Sequence, residues 1–162
     1  MSGRLHGRSI VVTGAGSGIG SAIARHLAVN EGAKVVITGR RPEPLEQLAD
    51  ETGCVVCTGD MTRRDDVRKV LDTAVNEFGG LDALVSNHGL LTLADFQSTN
   101  EQVWRDMLDT NTIAPFVLAQ EAAPIMEKVA VAPLFSLPLW PRISLMRRIT
   151  LRILPRRARS SP

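Results

Sequence analysis

The segment Thr13-Gly14-Ala15-Gly16-Ser17-Gly18-Ile19-Gly20 constrains this chain more than any other. It follows an apolar run, Ser9 to Thr13, that reads as a strand. It leads into Ile19, Ala22, Ile23 and Leu27, which are spaced as one face of a helix. Closely spaced glycines let a backbone approach a ligand, and a helix start offers free N–H groups and the positive end of its dipole. A strand, a glycine turn and a helix in this order form the place where a pyrophosphate sits in an open α/β sheet. The spacing is T-G-x-x-x-G-x-G, because Ile19 interrupts the commoner G-x-G-x-x-G. Thr13, Gly14, Gly16, Ser17, Gly18, Ile19 and Gly20 are therefore candidate binding residues.

The pattern then repeats. Val35 to Ile37, Cys54 to Thr58 and Ala83 to Val85 read as further strands. Pro42 to Asp50 reads as a helix with Leu45, Leu48 and Ala49 inward, and Arg63 to Phe78 as one with Val67, Val70, Leu71, Ala74 and Val75 inward. From Glu101 to about Glu127 the spacing is helical again, through Val103, Met107, Ala114, Leu118, Ala122 and Ile125, with a kink expected at Pro115. Near-continuous apolar strands alternating with helices predict a doubly wound parallel sheet of about four strands, covered on both faces. Cys54 and Cys57 form a C-x-x-C inside a strand run. Residues three apart on a strand face opposite ways, so these two are expected to be buried apolar side chains. No metal site is expected.

Charge divides the chain at residue 128. Residues 1–128 hold 12 Lys and Arg against 17 Asp and Glu, a balance of −5, whereas residues 129–162 hold 7 Arg and no acid. All 13 glycines lie at or before Gly89. The reading is a domain over 1–128 and an irregular Pro/Arg/Leu-rich basic tail over 129–162. The tail clusters, Arg147-Arg148 and Arg156-Arg157-Ala158-Arg159, lack aromatic interleaving beyond Trp140, so a solvated tail is expected rather than a nucleic-acid or membrane site. The longest apolar run, Val129 to Trp140, is broken by Pro133 and Pro138, and the N-terminus has no signal-like core. A cytoplasmic protein is expected.

Four features together resemble the short-chain dehydrogenase/reductase family over roughly residues 5–128. Thr13 to Gly20 is similar to its cofactor turn. Asp60, followed by Met61, is similar to the acidic position that contacts adenine. Ser86-Asn87-His88-Gly89 resembles the family's Asn-Asn-Ala-Gly with Ser and His substituted, and Asn111 resembles the Asn of its catalytic tetrad. The resemblance implies a Rossmann-like fold, a nicotinamide dinucleotide cofactor held by Asp60, Met61, Asn87, His88 and Gly89 besides the turn, and oligomers formed through helix 101–127. His88 is expected to act mainly through its backbone, and Asp60 to have a second, helix-capping role. The second strand ends in Thr38-Gly39-Arg40-Arg41, with no acid for a ribose 2′-hydroxyl. Guanidinium groups suit a 2′-phosphate, so Arg40 and Arg41 favour NADP(H) over NAD(H).

The resemblance implies a reaction in which a tyrosine gives or takes the hydroxyl proton, a lysine four residues later lowers its pKa and holds the ribose, and a serine orients the carbonyl. The chain contains no tyrosine, and its lysines are Lys34, Lys69 and Lys128. Ser136 and Ser144 stand without the family's neighbours, and the family pattern stops near residue 129, as a shifted reading frame or a rearranged gene would leave it. A catalytically impaired NADP(H)-binding chain is expected, its substrate unreadable. The competing readings are an active carbonyl/alcohol oxidoreductase with a different proton donor, and a protein that binds through its basic tail. Without a fifth strand the edge of the fourth is expected to be open, unless Val131 to Ile153 covers it.

Overall fold

A computed structural model describes residues 3–128 and 134–136. Five strands form one parallel sheet: β1 (Ser9–Thr13), β2 (Lys34–Thr38), β3 (Val55–Val56), β4 (Ala83–Ser86) and β5 (Leu134–Ser136). Their order is β3-β2-β1-β4-β5. The doubly wound α/β sheet is as the sequence predicts, and β5 adds one strand to the expected four. It runs beside β4 in the register Leu84 to Leu134, Val85 to Phe135 and Ser86 to Ser136, so the β4 edge is paired there. The remainder of the tail, with its arginine clusters, lies outside the described residues.

The strands are buried because both faces are covered. Val11, Val36 and Leu84 pack with Val67, Val70 and Leu71 of α3 (Arg64–Phe78) and with Ala114, Leu118 and Ala122 of α5 (Ala114–Lys128). On the other face Ile10, Val12, Val35 and Ile37 pack with Ala24 of α1 (Gly18–Arg25) and with Leu45 and Leu48 of α2 (Pro42–Thr52). Cys54 joins this second cluster and Cys57 the first, so the two free thiols face opposite sides of the sheet as the strand period requires. Burial pushes the Cys54 thiol up, against a hydrogen bond from Thr52 and the charge of Arg25. β3 itself is shorter than the apolar run around it.

Two helical expectations need correction. Ile19 and Ala22 are exposed, and the inner face of α1 is Gly20, Ile23 and Ala24, continued by Leu27 in the π-helical turn His26–Asn30. The face is turned because Gly20 must sit against the phosphate-type turn: a Cβ there would lie 2.3 Å from the Gly14 carbonyl oxygen. The single helix expected over 101–127 is three pieces. α4 (Glu101–Leu108) and α5 are joined by a π-helical turn, Asp109–Ile113. Pro115 has no N–H to return to the Asn111 carbonyl, and the wider turn ahead of it accommodates that loss. α4 is capped by Asn100, whose side chain accepts from the Val103 N–H, and none of its residues is fully buried. Arg64 and Arg68 of α3 both pair with Glu121 of α5, tying the two helices at the surface.

Candidate functional site

The order of β2, β1 and β4 places a topological switch point between β1 and β4, since the chain leaves β1 for one side and returns to β4 on the other. A cleft of about 660 Å³ opens there at the C-terminal ends of the strands. Its walls come from the loops that follow β1 to β4: Gly14, Ser17, Gly18 and Ile19 after β1, Gly39 and Arg40 after β2, Gly59, Asp60, Met61 and Thr62 after β3, and Asn87, His88, Gly89 and Leu90 after β4. Asp106 of α4, with Asp109 and Thr110 of the π turn, closes the far side.

The floor of the cleft is a close meeting of two loops. Gly14 has φ +66°, and a Cβ there would lie 2.8 Å from the His88 Cα. Only glycine combines that conformation with that approach. Asn87 Nδ2 donates to the Gly14 carbonyl at 3.3 Å, and the same amide nitrogen would be 2.5 Å from a Cβ on Gly20. Thr13 is fully buried beneath them, and its Oγ1 accepts the backbone N–H groups of Asn87 at 3.0 Å and His88 at 3.2 Å. Ser17, the residue before α1, is extended and makes no side-chain capping bond, and the first turn carries no acid. The first N–H groups of α1 are thus left for an anion.

The His88 side chain does more than the backbone role expected of it. Its Nδ1 lies 2.7 Å from Thr13 Oγ1. Burial pushes its imidazole down to about 4, against the opposing influence of the Asp60 carboxylate. Burial also opposes ionisation of Asp60. Hydrogen bonds from the Thr62 N–H and Oγ1–H, with Arg40 and Arg63 nearby, outweigh it and hold that carboxyl below its ordinary value. Asp60 thereby shapes the approach to α3, while the Asp60 N–H donates to Asp66.

Of the residues singled out in the sequence, Gly14, Ser17, Gly18, Ile19, Arg40, Asp60, Met61, Asn87, His88 and Gly89 line the cleft. Thr13 and Gly20 support its floor rather than line it, Gly16 lies against Pro44 and Leu45 of α2 instead, and Arg41 sits outside the cleft at the start of α2. Asn111 is not part of the lining either. Its Oδ1 accepts the Leu90 N–H and its Nδ2 donates to the Leu90 carbonyl, both at 2.8 Å, so it anchors the loop after β4 to the π turn. Gly39, Gly59 and Thr62 also line the cleft, although the sequence does not single them out as site residues. Leu90, Asp106, Asp109 and Thr110 reach the cleft through tertiary packing, which no local signal announces.

The cradle fits a dinucleotide. Gly14 and Gly18 line it without side chains, the helix start behind them is uncapped, and an arginine and a carboxylate, Arg40 and Asp60, line it too. Among the described residues no group of three or more His, Cys, Asp and Glu could hold a metal, and no helix is long and apolar enough to cross a membrane.

Comparison with known proteins agrees with this geometry. A sequence model of the family described as short chain dehydrogenase matches residues 8–132. An uncharacterized oxidoreductase of Listeria monocytogenes is 32% identical over 143 residues, covering 80% of this chain and 57% of that protein. An uncharacterized oxidoreductase of Staphylococcus aureus is 40% identical over 120 residues, covering 72% of this chain and 51% of its own length. The chain spans about half the length of the curated relatives it matches.

Proposed function

The chain belongs to the short chain dehydrogenase family of oxidoreductases, and on that premise we propose that it binds NADP(H) while turning over little or no carbonyl substrate. Arg40 carries the cofactor choice: it lines the cleft just past β2, where no carboxylate stands to meet a ribose 2′-hydroxyl. Its guanidinium suits a 2′-phosphate. Arg41 would add charge from outside the cleft. Gly14, Gly18 and the start of α1 would take the pyrophosphate, Asp60 and Met61 the adenine, and Asn87 to Gly89 the far ribose. When bound, the nicotinamide ring supplies or accepts the hydride of the family's reaction.

The absence of tyrosine from all 162 residues supports the catalytic half of the reading. No phenol is present to give or take the hydroxyl proton, and Asn111 is engaged by the Leu90 backbone. A second copy of the chain is the expected partner along 101–127, where Trp104, Leu108 and Phe116 are exposed apolar side chains. A cytoplasmic location completes the reading.

Titration with NADPH and NADH, followed by intrinsic tryptophan fluorescence and run beside a turnover assay, tests it. The expected result is tighter binding of NADPH by about tenfold, reduced to near parity by Arg40→Ala, with no turnover. Equal affinities in the parent would overturn the NADP(H) preference, and turnover abolished by Asn111→Ala would select an active oxidoreductase with another proton donor.

A further inference from the structure

The family motif that Ser86-Asn87-His88-Gly89 resembles has alanine where this chain has His88, so its imidazole is not part of that motif. Thr13 Oγ1 offers two lone pairs and one proton. Both lone pairs are taken by the N–H groups of Asn87 and His88. The proton has two destinations, His88 Nδ1 at 2.7 Å and the Val85 carbonyl at 3.4 Å. The second is beyond the usual reach of an O–H···O bond. Were Nδ1 protonated, three donors would converge on an oxygen that accepts two. Nδ1 is therefore the acceptor, and the ring proton sits on Nε2, which is buried and has no partner among the described residues. The depressed basicity of the ring agrees with a neutral imidazole at neutral pH.

We infer that His88 is a positioning residue: by taking the Thr13 hydroxyl proton on Nδ1, it fixes Thr13 Oγ1 as a double acceptor and so holds the loop after β4 against Gly14. The imidazole acts on a ligand through that loop, whose Asn87 amide and Gly14 contact form the cleft floor. The dinucleotide half of the inference rests on the cofactor reading above.

Three variants and three measurements test it. In the parent, nitrogen-15 spectra of labelled histidine at pH 7 are expected to show His88 protonated at Nε2 and bare at Nδ1. His88→Ala removes the acceptor. His88→Asn restores one, because its Oδ1 occupies about the place of Nδ1. His88→Leu fills space without an acceptor. NADP⁺ affinity by calorimetry is expected to fall about fivefold in Ala and Leu and to recover in Asn, with faster exchange of the Asn87 and His88 amides in Ala and Leu alone. A Nδ1-protonated ring in the parent would overturn the proposal. So would an Asn variant no better than Leu in amide exchange. A parent chain that binds no NADP⁺ would overturn the cofactor reading instead, because the ring spectrum and amide exchange need no ligand.

Discussion

The loop after β4 and the segment from Leu91 to Ile113 border the same cleft and are held by opposite means. The loop is fixed by buried atoms: Thr13 Oγ1, the Asn87 amide and two glycines whose Cβ positions are already occupied. From Leu91 to Ile113 no residue is fully buried, and Leu93 and Phe96 are 87% and 86% exposed. That segment depends on local devices, chiefly the Asn100 cap and the reciprocal Asn111 bonds to Leu90. One wall of the cleft is therefore built into the sheet, and the other is lightly attached to it. A ligand gains from the first without ordering it and must order the second.

The contrast can be broken most severely at Gly20. Gly20→Ala forces a Cβ into the Gly14 carbonyl and is expected to cost at least about 3 kcal/mol in urea unfolding and to abolish dinucleotide binding. Acid should act next, through His88. Its folded imidazole stays neutral down to about 4, whereas the ordinary value is 6.5. As pH falls through 6.5 the unfolded chain takes up the proton first, so stability is lost progressively from 6.5 toward 4 and levels off below. The loss is expected to be at most about 3 kcal/mol, and His88→Ala should flatten this part of a stability–pH profile. Asn111→Ala should cost less, about 1–2 kcal/mol, and should speed proteolysis between Leu91 and Asn100 rather than in the sheet. Phe96→Ser should change stability by no more than about 0.5 kcal/mol, because its ring is already in solvent.

How legible each region was follows from the same difference. The strands and the inward faces of α2 and α3 are carried by local periodicity, so Leu45, Leu48, Val67, Val70 and Leu71 could be placed from spacing alone. The turn at Gly14 to Gly20 was legible because glycine is a direct mark of close approach. The orientation of α1 was not, because Ile19 looks like a core residue until Gly20 is seen to occupy the contact. The division of 101–127 into α4, a π turn and α5 depends on how Pro115 redistributes backbone hydrogen bonds, which apolar spacing does not record. Strand β5 was hidden by its setting of prolines and arginines, and only pairing with β4 defines it. The bond between His88 and Thr13 joins positions 75 apart in the chain, and no motif spacing reports it.

We propose that the sheet-side wall is a ready-made site for an adenosine phosphate, independent of the lightly held wall and of any turnover. Calorimetric titration of the full chain with 2′,5′-ADP tests it most directly, because this ligand carries the adenine, the ribose and the 2′-phosphate without the nicotinamide. The expected result is saturable one-site binding by the parent, weakened by Arg40→Ala, lost in Gly20→Ala and unchanged in Phe96→Ser. Absence of binding by the folded parent at millimolar ligand, or equal binding by the Gly20→Ala variant, would contradict it.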